Sequence, residues 1–184
     1  MKKLALFDLD GTLFNTNDVN YFAYNKALME KGYSVQYDYY CNYCNGRHYT
    51  IFLPEIVNND KEIIDYVHNR KKELYHDFLD KVIVNEHLFN IIKCLKDDYY
   101  LAVVTTASKK NTYEILEYFK KKELFDLILT GDDIKKSKPD PEGFLTAMKY
   151  FEIEPKDTLI FEDSPVGIEA ANRSGATVFV VNKF

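Results

Sequence analysis

From residue 99 to the C-terminus, short apolar runs alternate with helix-patterned stretches. YYLAVVT, FDLILTG, TLIFED and ATVFVV read as strands, and KLALFDL near the N-terminus reads as a buried fifth. Ser108 is placed to cap a helix running to about Lys121. Asp140-Pro141 and Ser164-Pro165 each set a capping residue before a first-turn proline, and Gly175 ends the last helix. Glu86–Lys96 is a further helix, with Leu88, Ile91, Ile92 and Leu95 expected to face in. Strand–helix alternation of this kind predicts an α/β fold, a Rossmann-like, doubly wound parallel sheet with helices on both faces.

Residues 16–81 break the alternation. Thr16 is placed to cap a helix to about Lys31, with Val19, Phe22, Ala23 and Ala27 on one face and Gly32 past its end. Tyr33–Asn59 is rich in Tyr and Asn with weak periodicity, and Asp60–Leu79 is helical by pattern. The expected organisation is an α/β core of residues 1–15 and 82–184, with residues 16–81 inserted as a small helical cap. The 184 residues suit one domain with such an insert.

The net charge of −5 argues against nucleic acid and anionic membranes as partners, since both select basic surfaces. No apolar run approaches the roughly 20 residues of a membrane span. LALF is too short for the apolar stretch of a signal peptide. A cytoplasmic monomer is the expectation. Cys41 and Cys44 form one C-x-x-C pair with His48 nearby; a zinc site wants a second pair, so reduced cysteines are expected.

In open parallel sheets, ligands bind beyond the carboxyl ends of the strands. The first strand offers Asp8 and Asp10 there, and YYLAVVT with the next residue offers Thr105 and Thr106. KKSKPDP offers Lys138, and TLIFED offers Glu162 and Asp163. Four converging carboxylates repel one another unless a cation joins them, and hard oxygen donors suit Mg²⁺. A lysine and hydroxyls beside that cation have use for an oxygen-rich anion, the setting of phosphoryl transfer. One aspartate can then attack and the other move protons. Gly11 lets the backbone approach the ligand closely. Ser164 and Asp140 read as helix caps without chemistry.

DLDGT, VVTTAS, KPDP and FEDSPVGIEAA, in this order, resemble the four motifs of the haloacid dehalogenase superfamily. The resemblance is strongest to its subgroup with a small helical cap, which includes phosphoglycolate phosphatase-like enzymes and β-phosphoglucomutase. It implies Asp8 as nucleophile and Asp10 as general acid and base. It implies Thr105, Thr106, Lys138 and Gly11 around the phosphate, and Mg²⁺ held by Asp8, Asp10 (through its carbonyl), Asp163 and, directly or through water, Glu162. Arg47, in the loop NYCNGRHYTIF, falls where related caps touch substrate. Asn15 departs from the Asp that many members carry at that position. The expected activity is hydrolysis of a small phosphorylated metabolite through an aspartyl phosphate. A sugar phosphomutase uses the same core, and a phospho-receiver module gathers similar residues, although receivers are shorter and lack the insert.

Overall fold

The computed structural model describes residues 2–182 and 184. The chain divides into two compact units, one of residues 1–15 and 83–184 and one of residues 16–82.

In the first unit, β1 (Lys3–Phe7), β4 (Tyr99–Val104), β5 (Leu127–Leu129), β6 (Thr158–Glu162) and β7 (Thr177–Val180) form one sheet. Among the described residues its order is β5-β4-β1-β6-β7, and every pairing is parallel. The central β1 is buried from Leu4 to Phe7, as a strand covered on both faces must be. The order reverses direction at β1, so the open crevice lies beyond the ends of β1, β4 and β6. A short antiparallel ladder pairs β2 (Phe14–Asn15) with β3 (Ile83–Val84), where the chain leaves the core and rejoins it.

Among the described residues the helices of this unit are α5 (Glu86–Leu95), α6 (Lys109–Tyr118), α7 (Glu142–Phe151) and α8 (Pro165–Ser174). Phe144, Ala147 and Met148 of α7 and Ala170 and Ala171 of α8 bury Leu4, Leu6, Ala102, Val104 and Ile160. On β1 the residues between these point to the opposite face. There Phe7 stacks on Phe161 at 4.8 Å between centroids.

The boundaries follow capping chemistry. Ser108 accepts from Asn111 N–H, and Ser164 from Gly167 N–H with Pro165 as the first helical residue. Gly175 closes α8 with φ +81°. Two expectations shift. Helix α7 starts at Glu142, one residue later than Asp140-Pro141 suggests, although Asp140 still accepts the Glu142 N–H at 3.0 Å. On α5 the buried residues are Leu88, Phe89 and Ile92, while Ile91 is exposed. Phe89 fills the inward position because its ring meets Phe14 at 5.4 Å.

The second unit is helical: α1 (Asn17–Met29), α2 (Tyr37–Tyr39), a π turn over Tyr40–Cys44, α3 (Tyr49–Ile56), α4 (Lys61–Leu74) and a 3-10 segment Tyr75–Lys81. Its core joins Ala23, Ala27, Leu28, Val35, Tyr40, Cys44, Phe52, Leu53, Val57, Val67 and Leu74. The tyrosine-rich stretch builds this unit itself. Tyr40 is buried, Tyr37 donates to Asp18 at 2.6 Å and Tyr39 donates to Glu55 at 3.1 Å. Phe22, expected on the inner face of α1, is 38% exposed and stacks on Phe78. Among the described residues no helix is long and apolar enough to cross a membrane.

Candidate active site

Asp8 follows directly on β1, whose register sets Phe7 beside Val103 and Phe161. Its neighbours are therefore the ends of β4 and β6. Lys138, from the loop before α7, extends its ammonium into this point. It donates to Asp8 Oδ1, to Glu162 Oε2 at 2.6 Å and to the Val104 carbonyl at 3.3 Å. All three side chains are buried. Burial works against the Lys138 charge, but Asp8 and Glu162 outweigh it and hold the ammonium above its ordinary range.

Glu162 is fully buried and saturated with donors. Its Oε1 accepts from Asp163 N–H and Ser164 N–H, each at 3.1 Å, and from the Ser164 hydroxyl at 2.9 Å, while Oε2 takes Lys138. Ser164 thus does more than cap α8. Asp163, one residue on, faces elsewhere: its Oδ1 accepts the Thr12 hydroxyl at 2.8 Å. Asp8, Glu162 and Asp163 each offer an oxygen within 4.8 Å of the others.

Gly11 has φ +91°, a region that disfavours side chains. A Cβ built there would lie 2.1 Å from Asp163 Oδ2. The glycine and the Asp163 carboxylate therefore occupy one tight space. Gly11→Ala is expected to cost about 1–3 kcal/mol of stability. It should also weaken any cation held by Asp163; thermal melts with and without Mg²⁺ check both effects.

Thr105 is buried, and its hydroxyl accepts the Ala107 N–H at 3.0 Å. Thr106 is exposed. Asp10 is half-buried, close enough to push the Asp8 and Asp163 carboxyls upward. Arg47 belongs to the helical unit, exposed in the loop before α3. The core thus brings together Asp8, Gly11, Lys138, Glu162 and Asp163, with Thr105 one residue past the carbonyl that Lys138 binds. Sequence reasoning gave no role to Thr12 or Asn85. The only signal for Thr12 is its place in DGT, after a glycine that must approach a carboxylate.

Lys138 pairs with Asp8 and Glu162, while Asp163 lies within 4.8 Å of both and Asp10 is close enough to act on Asp8 and Asp163. Burial foremost drives the Asp8 carboxyl well above its ordinary value, with Glu162 and Asp10 adding and Lys138 opposing. Burial likewise lifts Asp163 to about 6, against the Thr12 hydrogen bond. Excess buried carboxylate with hard oxygen donors fits a divalent cation such as Mg²⁺.

Residues 5–181 match the model of the haloacid dehalogenase-like hydrolases. A validoxylamine A 7'-phosphate phosphatase from Streptomyces hygroscopicus subsp. limoneus is 31% identical over 185 residues, 95% of this chain and 83% of that protein. A phosphorylated carbohydrates phosphatase from Thermotoga maritima is 26% identical over 93% of this chain and 81% of its own length. CbbY from Rhodobacter sphaeroides, solved in complex with phosphate, shares the fold with a TM-score of 0.85 at 24% identity. That match covers 100% of this chain and 88% of CbbY.

Proposed function

From the premise that this chain belongs to the haloacid dehalogenase-like hydrolases, we propose that it hydrolyses a small phosphate monoester through an aspartyl phosphate on Asp8. The observation that carries this reading is the buried Lys138 ammonium bridging Asp8 and Glu162 beside Asp163. That arrangement suits an anion with its own cation, and curated relatives named as phosphatases support hydrolysis as the outcome.

Asp8 attacks phosphorus, and the bond from phosphorus to the ester oxygen breaks. Asp10 gives its proton to the departing oxygen. The Asp10 carboxylate then takes a proton from water, which attacks the same phosphorus, and Asp8 leaves as a carboxylate. Lys138 and the Thr105 hydroxyl hold phosphoryl oxygens during both displacements. Asp8, Asp163 and the Asp10 carbonyl would hold Mg²⁺, which when bound neutralises charge on the phosphoryl group. Glu162 is better suited to orienting Lys138, or to reaching the cation through water, because both its oxygens already accept protein donors. Residues 16–81 act as the cap, and Arg47 serves specificity by pairing with a second acidic group on the substrate. Arg47→Ala then raises KM for such a substrate and spares a simple aryl phosphate.

Phosphate release from phosphorylated carbohydrates, phosphoglycolate, nucleotides and an aryl phosphate, with and without Mg²⁺, tests the reading. Mg²⁺-dependent release from at least one supports it. Interconversion of sugar phosphates with a bisphosphate primer, without net release, would replace it with a mutase.

The raised Asp8 and Asp163 carboxyls set the pH dependence. Cation binding needs both ionised, and a raised pKa means protons compete sooner as pH falls. At subsaturating Mg²⁺, kcat/KM should fall as pH drops through about 6. Raising Mg²⁺ should move that limb lower, whereas a limb indifferent to Mg²⁺ contradicts the assignment.

A further inference from the structure

Asn85 is a buried polar residue that the proposed chemistry does not use. It follows β3 and caps α5, accepting the Leu88 N–H on Oδ1 at 3.1 Å. A cap alone would be served as well by serine or aspartate at a helix start. Asn85 also makes two bonds to the segment Thr12-Leu13. Its own N–H donates to the Leu13 carbonyl at 3.0 Å, and its side-chain Nδ2 donates to the Thr12 carbonyl at 3.1 Å. The two side-chain partners, a donor and an acceptor, fix which end of the amide points where.

Thr12 is itself fully buried, and its hydroxyl donates to Asp163 Oδ1 at 2.8 Å. The other carboxylate oxygen, Oδ2, lies against Gly11, where no side chain could fit. The Asp163 carboxylate is therefore held from two sides by the turn Gly11-Thr12. That turn is tied in its turn to the start of α5 by Asn85. The tie lies beside the β2–β3 ladder, where the chain leaves the core and returns to it. Groups that orient ligating carboxylates through hydrogen bonds strongly influence metal affinity.

We infer that Asn85 is a positioning residue for the Asp163 carboxylate, acting through Thr12 to set the affinity for the divalent cation. This rests on the reading of Asp163 as a cation ligand. Asn85→Ser keeps a capping oxygen for α5 and removes the amide donor to Thr12. Asn85→Asp, which also keeps the cap, is the second variant should the first not fold.

Mg²⁺ binding to the substrate-free protein, measured by titration calorimetry, is the test, with the melting temperature recorded beside it. Asn85→Ser is expected to weaken Mg²⁺ binding by roughly 10-fold or more. Thr12→Val should weaken it similarly, and Thr12→Ser should restore it. The double variant Asn85→Ser/Thr12→Val should be weakened less than the product of the two single effects, because both act on one tie. Wild-type Mg²⁺ affinity in Asn85→Ser, with only a lowered melting temperature, overturns the inference and leaves the cation reading intact. Fully multiplicative effects overturn it as well. Failure of the unsubstituted protein to bind Mg²⁺ overturns the cation reading and the inference with it.

Discussion

Asp8→Asn is expected to remove phosphate release, by more than roughly 10⁴-fold, while leaving a folded protein. The amide has nearly the same shape, but its nitrogen lone pair is delocalised and it cannot form an acyl phosphate. Losing a nucleophile removes the covalent route altogether, and such losses are among the largest single-residue effects in enzymes. The fold should tolerate the change. Asp8 carries a carboxyl that burial already disfavours in its charged form. Asparagine keeps an oxygen to accept from Lys138 and removes one charge from a crowded acidic site. A melting temperature equal to or above that of the unsubstituted protein is therefore expected. Asp10→Asn should fall by a smaller factor, about 10²- to 10⁴-fold, as a lost proton-transfer group does. Turnover in Asp8→Asn within 10-fold of the original rate, after excluding contaminating phosphatase, would remove Asp8 from the chemistry.

The second large effect is on stability as well as rate. Lys138→Met leaves Asp8 and Glu162 buried without their shared ammonium. Breaking a buried ion pair by removing one partner costs about 3–5 kcal/mol, because the charges left behind have no compensation. For a chain of 184 residues that corresponds to roughly 6–20 °C in Tm. Glu162→Gln added to Lys138→Met removes one orphaned charge and keeps an oxygen for Ser164. The double variant should regain a substantial part of the lost Tm and none of the activity. That separation distinguishes a cation needed by the fold from one needed by the transferring phosphoryl group. Equal Tm in Lys138→Met and the unsubstituted protein would contradict the buried geometry. Retained turnover would contradict the catalytic role.

The sheet was legible in the sequence because its strands are short apolar runs; the central ones read so because they are buried on both faces, whereas the edge strands β5 and β7 are apolar though only partly covered. The strand order follows from crossover topology and no single run announces it. The helical unit was legible at Asn17–Met29, which Thr16 and Gly32 flank, and otherwise where periodicity is strong. Lys61–Leu74 shows it, with Val67 and Leu74 buried and Asp60 accepting from Glu62 and Ile63 N–H at its start. Tyr33–Asn59 does not, because a π turn over Tyr40–Cys44 and a proline inside Tyr49–Ile56 each break the helical repeat.

The carboxylates at the strand ends were visible because charges terminating apolar strands need partners. Their division of labour was less visible. Glu162 and Asp163 are sequence neighbours, and the sequence leaves open whether Glu162 meets the cation directly or through water. At a strand end, successive side chains diverge. Glu162 turns to Lys138 and the start of α8, whereas Asp163 turns to Gly11 and Thr12. Thr12 and Asn85 act through contacts 151 and 73 residues apart in sequence, and no local pattern encodes those.

The most direct test of the account is to trap the covalent intermediate. The protein would be mixed with its best substrate and Mg²⁺, quenched in acid within a turnover, reduced with borohydride and digested for mass spectrometry. Borohydride converts an aspartyl phosphate to homoserine and leaves free carboxylates unchanged. Homoserine is expected at position 8 alone, dependent on substrate and Mg²⁺. Burst-phase turnover with an unmodified Asp8, or with the modification at Asp10 or Asp163, would contradict it.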